Sequence, residues 1–166
     1  VNAHKHVMKK FGFETKATDD IKKLVGRGAK SLIYRSIYNT AKNEFRKFTD
    51  ENTKEEMVKE FIDYYGRNIN NESKLIDGVL DFLSWCKNKK ISMGVCTNKQ
   101  EYLAIDLLKR IKIYDYFEYV AGSNTFEYCK PDPRHLTSVL EIMNGSIEKS
   151  VMIGDSETDA DSAKNC

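Results

Sequence analysis

Two carboxylates four positions apart, Asp155 and Asp159, follow directly on a short apolar run, Val151-Met152-Ile153, and one glycine, Gly154. The run is too short for a helix and suits a strand buried on both faces. If the chain turns into a helix at Ser156, both acids stand at the carboxyl end of that strand, the edge where open α/β sheets bind ligands. Two acids held so close repel each other unless a cation sits between them, so one chemistry open to this stretch is a hard-metal site. The other is a capping box of Ser156 and Asp159, with acids placed to suit the helix dipole. The stretch alone leaves both open.

Two further places carry residues of the same kind of use. Thr97-Asn98-Lys99 closes an apolar run, and a hydroxyl followed by backbone N–H groups at a helix opening can cradle an anion. The same residues can simply cap the helix. Lys130 precedes Pro131-Asp132-Pro133, with Asp132 placed as a helix cap and Pro133 at the first helical position. The prolines stiffen the backbone where the lysine emerges, and a point charge there can neutralise phosphate; a solvated surface lysine is the plainer alternative. Taken in order along the chain, a hydroxyl, a cation and paired carboxylates fit phosphoryl transfer, in which positioning and charge neutralisation supply most of the catalysis. Such a reaction also needs a nucleophile or an activated water, and no fourth strand end offers one.

The elements that must present these groups change character partway along the chain. The first part reads as helices only. Ala3, Val7, Met8 and Phe11 share a face ended by Gly12, Thr18 or Asp19 caps a short helix through Leu24, and Val25-Gly26-Arg27-Gly28 interrupts the pattern. A helix with Leu32, Ile33 and Ile37 inward spans 29–41. Thr53 to Glu56 forms a capping box for a helix with Met57, Phe61, Tyr64 and Tyr65 at helical spacing. After the polar stretch Asn68 to Ser73 the order becomes helix (78–89), strand (91–97), helix, strand (117–121), helix, strand (151–153) and a final helix. That alternation means parallel strands joined by crossovers. We therefore place a helical domain at 1–72 and an α/β domain at 73–166.

Composition excludes several classes. The chain of 166 residues is 40% hydrophobic and 31% charged, with 27 basic and 25 acidic residues interleaved, which describes a globular protein without a nucleic-acid footprint. No run of apolar residues is long enough for a membrane span, and no basic-then-apolar leader is visible. Cys86, Cys96, Cys129 and Cys166 form no Cys-x-x-Cys pair, so neither zinc nor redox chemistry is supported, and a reducing cytoplasm fits best. His4, His6 and His135 form no ligand pattern and read as ordinary surface or helix residues.

These motifs, in this order, resemble those of the haloacid dehalogenase (HAD) superfamily, and within it the phosphoglycolate phosphatases. Val95-Cys96-Thr97-Asn98-Lys99 is similar to the second motif of that family, Lys130-Pro131-Asp132-Pro133 to the third, and Gly154-Asp155-Ser156-Glu157-Thr158-Asp159 to the fourth, acidic motif. Val25 to Gly28 stands where the helical cap carries a glycine-rich turn. The resemblance implies a parallel Rossmann-like core with a helical cap that closes about a hinge near 70–74. It also implies a cytoplasmic, Mg²⁺-dependent phosphatase of a small phosphorylated metabolite, first of all 2-phosphoglycolate, working through an aspartyl-phosphate. Asp155 and Asp159 would serve the metal, Asp159 by ligation or by holding a metal-bound water or Lys130. Thr97 and the Asn98 N–H would bind phosphate, Lys130 would offset its charge, and Arg27 would reach the substrate.

The sequence departs from the family in two places. Leu75-Ile76-Asp77-Gly78-Val79 lacks the usual hinge proline, and the first motif, Asp-x-Asp-Gly-Thr, is absent. With it go the nucleophile, the general acid and the central strand, which by family order belong upstream of Val1. The expectation is a trimmed piece that does not turn over by itself, cut from an active parent. Two alternatives remain: another capped HAD enzyme, such as a sugar-phosphate phosphatase or phosphomutase, and a non-catalytic phosphate- or partner-binding remnant. A dehalogenase fits less well, because the acid pair argues for a metal that those enzymes do not use.

Overall fold

The computed structural model of the chain describes residues 1–40 and 50–166. They form two compact units, Val1–Asn68 and Ile69–Cys166.

The first unit is helical throughout its described residues: α1 (Asn2–Lys10), α2 (Thr18–Lys22), α3 (Gly28–Thr40) and α4 (Glu51–Arg67). Residue 41, to which the third helix was expected to extend, lies outside the described residues. The periodic apolar positions converge as helical spacing requires, with Val7, Met8, Ile33, Ile37 and Met57 in one core and Phe11 and Phe61 packed on it. Gly12 closes α1 at φ +79°, a left-handed turn that a glycine adopts without steric cost, and the break at Gly26 and Gly28 is likewise at positive φ. The cap of α4 differs from the expected Thr53 box. Asp50 caps instead, its carboxylate accepting from the N–H groups of Asn52 and Thr53 and from the Thr53 hydroxyl, so Thr53 lies inside the helix as a donor to the cap.

His4 also corrects the sequence reading. It is fully buried, its Nε2 lying 2.7 Å from the Ser36 hydroxyl, and burial lowers its pKa to about 4. His6 does sit at the surface of this unit, stacked on Tyr64 at 4.0 Å and paired, as is Lys10, with Glu60.

The second unit runs α5 (Val79–Asn88), β1 (Gly94–Cys96), α6 (Glu101–Arg110), β2 (Tyr119–Ala121), α7 (Arg134–Ile142) and α8 (Glu157–Lys164). The strands pair in parallel, Gly94 with Tyr119, Val95 with Val120 and Cys96 with Ala121, and α6 makes the crossover. Both strands are shorter than expected, with a register of three residue pairs flanked by the bonds from the Glu118 N–H to the Met93 carbonyl and from the Thr97 N–H to the Ala121 carbonyl. Helix α7 lies on this sheet: a Cβ on Gly94 would come within 2.6 Å of Met143 Sδ and 3.2 Å of Val139. Pro133 is the N-cap residue of α7 instead of the first helical one, and Asp132, expected as the cap, stands one position earlier and accepts from the Arg134 N–H. His135, expected at an ordinary position, is fully buried against the edge of Phe126.

The main departure lies at 151–153. That segment is extended but pairs with no strand among the described residues, and Val151 and Ile153 are 86% and 71% exposed. A strand exists only through a partner's hydrogen bonds, so the apolar run that reads as doubly buried is here an uncovered edge. Among the described residues no helix is long and apolar enough to cross a membrane.

Candidate active site

In the second unit the residues singled out by their chemistry come together around Lys130. This side chain is buried, and its Nζ donates to the Cys96 carbonyl at 2.6 Å and to Asp159 Oδ1. One ammonium thus joins the carboxyl end of β1 to the first turn of α8. Three further interactions decide where it sits. The Lys130 carbonyl accepts from Asn98 Nδ2 at 2.9 Å, which ties the loop after β1 to the backbone beside the lysine. Asp159 Oδ2 accepts from the Ser156 N–H at 3.0 Å and from its hydroxyl at 2.5 Å. Gly154 packs so closely on Asp159 that a Cβ there would overlap its carboxylate.

The two readings of the acidic stretch are therefore both present in one residue. Asp159 is the capping-box acid of α8 and also the partner of Lys130. Burial by itself raises its pKa, but the hydrogen bonds from Lys130 and then Ser156, together with the lysine's charge, outweigh that and hold the carboxyl below its ordinary value. A buried pair with this many hydrogen bonds is fixed in place.

Asp155 differs. It stands exposed at the bend before α8 and enters no ion pair or hydrogen bond among the described residues. The donor set tests a magnesium site. Mg²⁺ is usually held by one or two carboxylates, with waters and substrate phosphate completing the octahedron. The free carboxylate of Asp155 suits direct ligation. Both oxygens of Asp159 are already engaged, which suits the supporting role of holding Lys130. Among the described residues no cluster of three or more His, Cys, Asp or Glu is placed to cage a metal.

Thr97 continues β1 by donating its N–H to the Ala121 carbonyl at 2.9 Å, and its hydroxyl accepts from the Lys99 N–H at 3.1 Å. Hydroxyl and backbone donors are thus gathered in the short loop leading to α6. Burial pushes the thiol of Cys96, next to them, up to about 11, with the Lys130 charge opposing and the Asp159 charge reinforcing the shift, which disfavours the thiolate. Arg27 belongs to the other compact unit, at the turn between α2 and α3.

Sequence reasoning missed the ties that do not touch the motifs. After β2, the Asn124 side chain accepts from the Glu101 N–H at 2.9 Å, and the Thr125 hydroxyl accepts from the Gly122 N–H at 2.8 Å and donates to the Glu101 carboxylate. The only signal for them was the turn chemistry of Gly122-Ser123-Asn124-Thr125.

The chain is similar to known proteins in both sequence and fold. The phosphoglycolate phosphatase of Agrobacterium fabrum is 31% identical over 165 residues, covering 99% of this chain and 69% of that protein. The phosphoglycolate phosphatase of Caulobacter vibrioides is 35% identical over 147 residues, covering 89% of this chain and 60% of its own length. This chain thus spans roughly two thirds of the length of the curated relatives it matches. In fold it is similar to the crystal structure of a predicted phosphoglycolate phosphatase from Haemophilus somnus 129PT, with a TM-score of 0.91 at 22% identity, covering 99% of this chain and 72% of that one. The profile of the haloacid dehalogenase-like hydrolases matches residues 1–166 from end to end, and the chain belongs to that family.

Proposed function

We propose that this chain is the greater part of a Mg²⁺-dependent phosphatase of a small phosphorylated metabolite, with 2-phosphoglycolate the first candidate. The observation that carries this reading is the position of Lys130, held between the Cys96 carbonyl and Asp159 one residue away from Thr97. A fixed buried cation beside a hydroxyl and backbone donors, with a free carboxylate at the bend before α8, is a device for binding phosphate and neutralising it. The names of the curated relatives support the substrate class.

In this reading Thr97 and the Asn98 N–H bind the phosphoryl oxygens and Lys130 offsets their charge. Asp159 accepts from Lys130 and keeps it aimed. Asp155 holds Mg²⁺, which when bound withdraws charge from the phosphoryl group. Arg27 supplies a contact to the rest of the substrate. The attacking aspartate and the general acid are supplied by an Asp-x-Asp segment outside these 166 residues, so this chain alone gives no turnover. A reducing cytoplasm is the compartment that its free thiols fit.

The test is hydrolysis of 2-phosphoglycolate and of a generic aryl phosphate by the longer protein, with and without Mg²⁺. Asp155→Asn should lower Mg²⁺-dependent turnover by far more than about tenfold; activity within that factor of wild type removes Asp155 from the metal site. Replacement of Arg27 by Ala should raise KM more than it lowers kcat. An isomerised sugar phosphate appearing instead of free phosphate would make the protein a phosphomutase.

A further inference from the structure

Helix α6, whose first turn lies beside Thr97 and Asn98, has no side-chain cap of its own: its N-cap residue is Gln100, and no side-chain bond closes the turn. Orphan N–H groups at a helix start need acceptors. Here they come from another part of the chain, as the Glu101 N–H donates to Asn124 Oδ1 at 2.9 Å. The same loop grips α6 in two more ways. The Ser123 N–H donates to the Lys99 carbonyl at 2.8 Å, and Thr125 bridges the Gly122 N–H and the Glu101 carboxylate. The approach is close enough that a Cβ on Gly122 would overlap the Glu101 backbone. From the other side Asn98 is tied to the Lys130 carbonyl.

The loop Thr97–Gln100 is therefore clamped from both flanks. Preorganised donors bind an anion better than mobile ones, because the ordering cost is met in folding. Resting on the phosphate-binding reading above, we propose that Thr125 and Asn124 are positioning residues for phosphate: they form a latch that sets the Thr97–Lys99 donors from the loop after β2. The Thr125 hydroxyl is the centre of the latch, since it alone both accepts from β2's end and donates to α6's first residue. It also holds the Glu101 carboxylate on the β2 side, so that this negative charge is committed to a protein donor.

The experiment titrates inorganic phosphate, with Mg²⁺ present, into the isotopically labelled 166-residue chain and follows the backbone amides of Thr97, Asn98 and Lys99 by NMR. Amide exchange at Glu101 is read alongside. Thr125→Val, which keeps shape and loses the hydroxyl, should weaken phosphate about fivefold, while Thr125→Ser stays within about twofold of wild type. Asn124→Ala, on an exposed side chain, should weaken phosphate about twofold to threefold and speed Glu101 exchange. Wild-type phosphate affinity in both Thr125→Val and Asn124→Ala overturns the latch, as does equal weakening in the Val and Ser variants. A wild-type chain whose Asn98 and Lys99 amides ignore phosphate overturns the phosphate-binding reading itself, and the latch with it.

Discussion

The two units of this chain bury polar groups in opposite settings. In the helical unit, His4 and Ser36 meet inside a unit whose apolar core is Val7, Met8, Ile33, Ile37 and Met57. Of the largest fully buried side chains among the described residues, only His135 and Ser162 belong to the α/β unit. That unit instead leaves Ile76, Phe82, Trp85, Val151 and Ile153 exposed and concentrates its order at the strand ends, where Lys130, Asp159, Ser156, Asn98, Glu101 and Thr125 hold one another. Apolar burial stabilises without direction, whereas charged hydrogen bonds stabilise little net but fix positions. The difference teaches where chemistry can be placed: on the unit whose residues are aimed.

The sharpest way to break this comparison is to remove one partner from the buried pair. Lys130→Met leaves Asp159 buried without its cation and should cost about 3–5 kcal/mol, read by urea denaturation. The double variant Lys130→Met/Asp159→Leu should regain a large part of that; a single variant no worse than the double would show that the pair does not organise this unit. In the helical unit, Met57→Ala should cost about 2–5 kcal/mol through the cavity it leaves, with a graded loss of cooperativity as its readout. A near-neutral result would put the packing argument in doubt.

Acidification should affect both units in the same direction. Burial lowers the pKa of His4 to about 4, and burial likewise lowers that of His135. The unfolded chain therefore takes up protons first as pH falls below 6.5, and stability drops until the folded-state values are passed. Thermal unfolding at pH 7.5 and pH 5 should show the loss, His4→Gln should reduce it, and a melting temperature independent of pH would contradict the burial of these rings. Asp159 acts later: its depressed pKa means stability that is present above the ordinary carboxylate range and lost as pH falls through the folded value. The smallest effects belong to the cap of α4: Asp50→Ala, which removes it from an exposed position, should lower the melting temperature slightly, and Thr53→Val, which removes only the hydroxyl donor to Asp50, should do less.

The sequence by itself determined the helical periods, the change from helices to alternating strands and helices, and the three motifs with their order. These are local properties: a helix face repeats every three or four residues, and a motif's residues are neighbours in the chain. It also carried the capping role of Asp159, because Ser156 lies three residues before it. The tertiary structure decided what the motifs touch. That Lys130 bonds the carbonyl of Cys96, that Asn98 holds the Lys130 backbone, and that α6 is capped by Asn124 from a later loop join residues 23 to 34 positions apart. So does the exposure of Val151 and Ile153, which turns on whether a partner strand is present. Spacing along a chain fixes which face a residue takes; only the packing of whole elements fixes which other residue it meets.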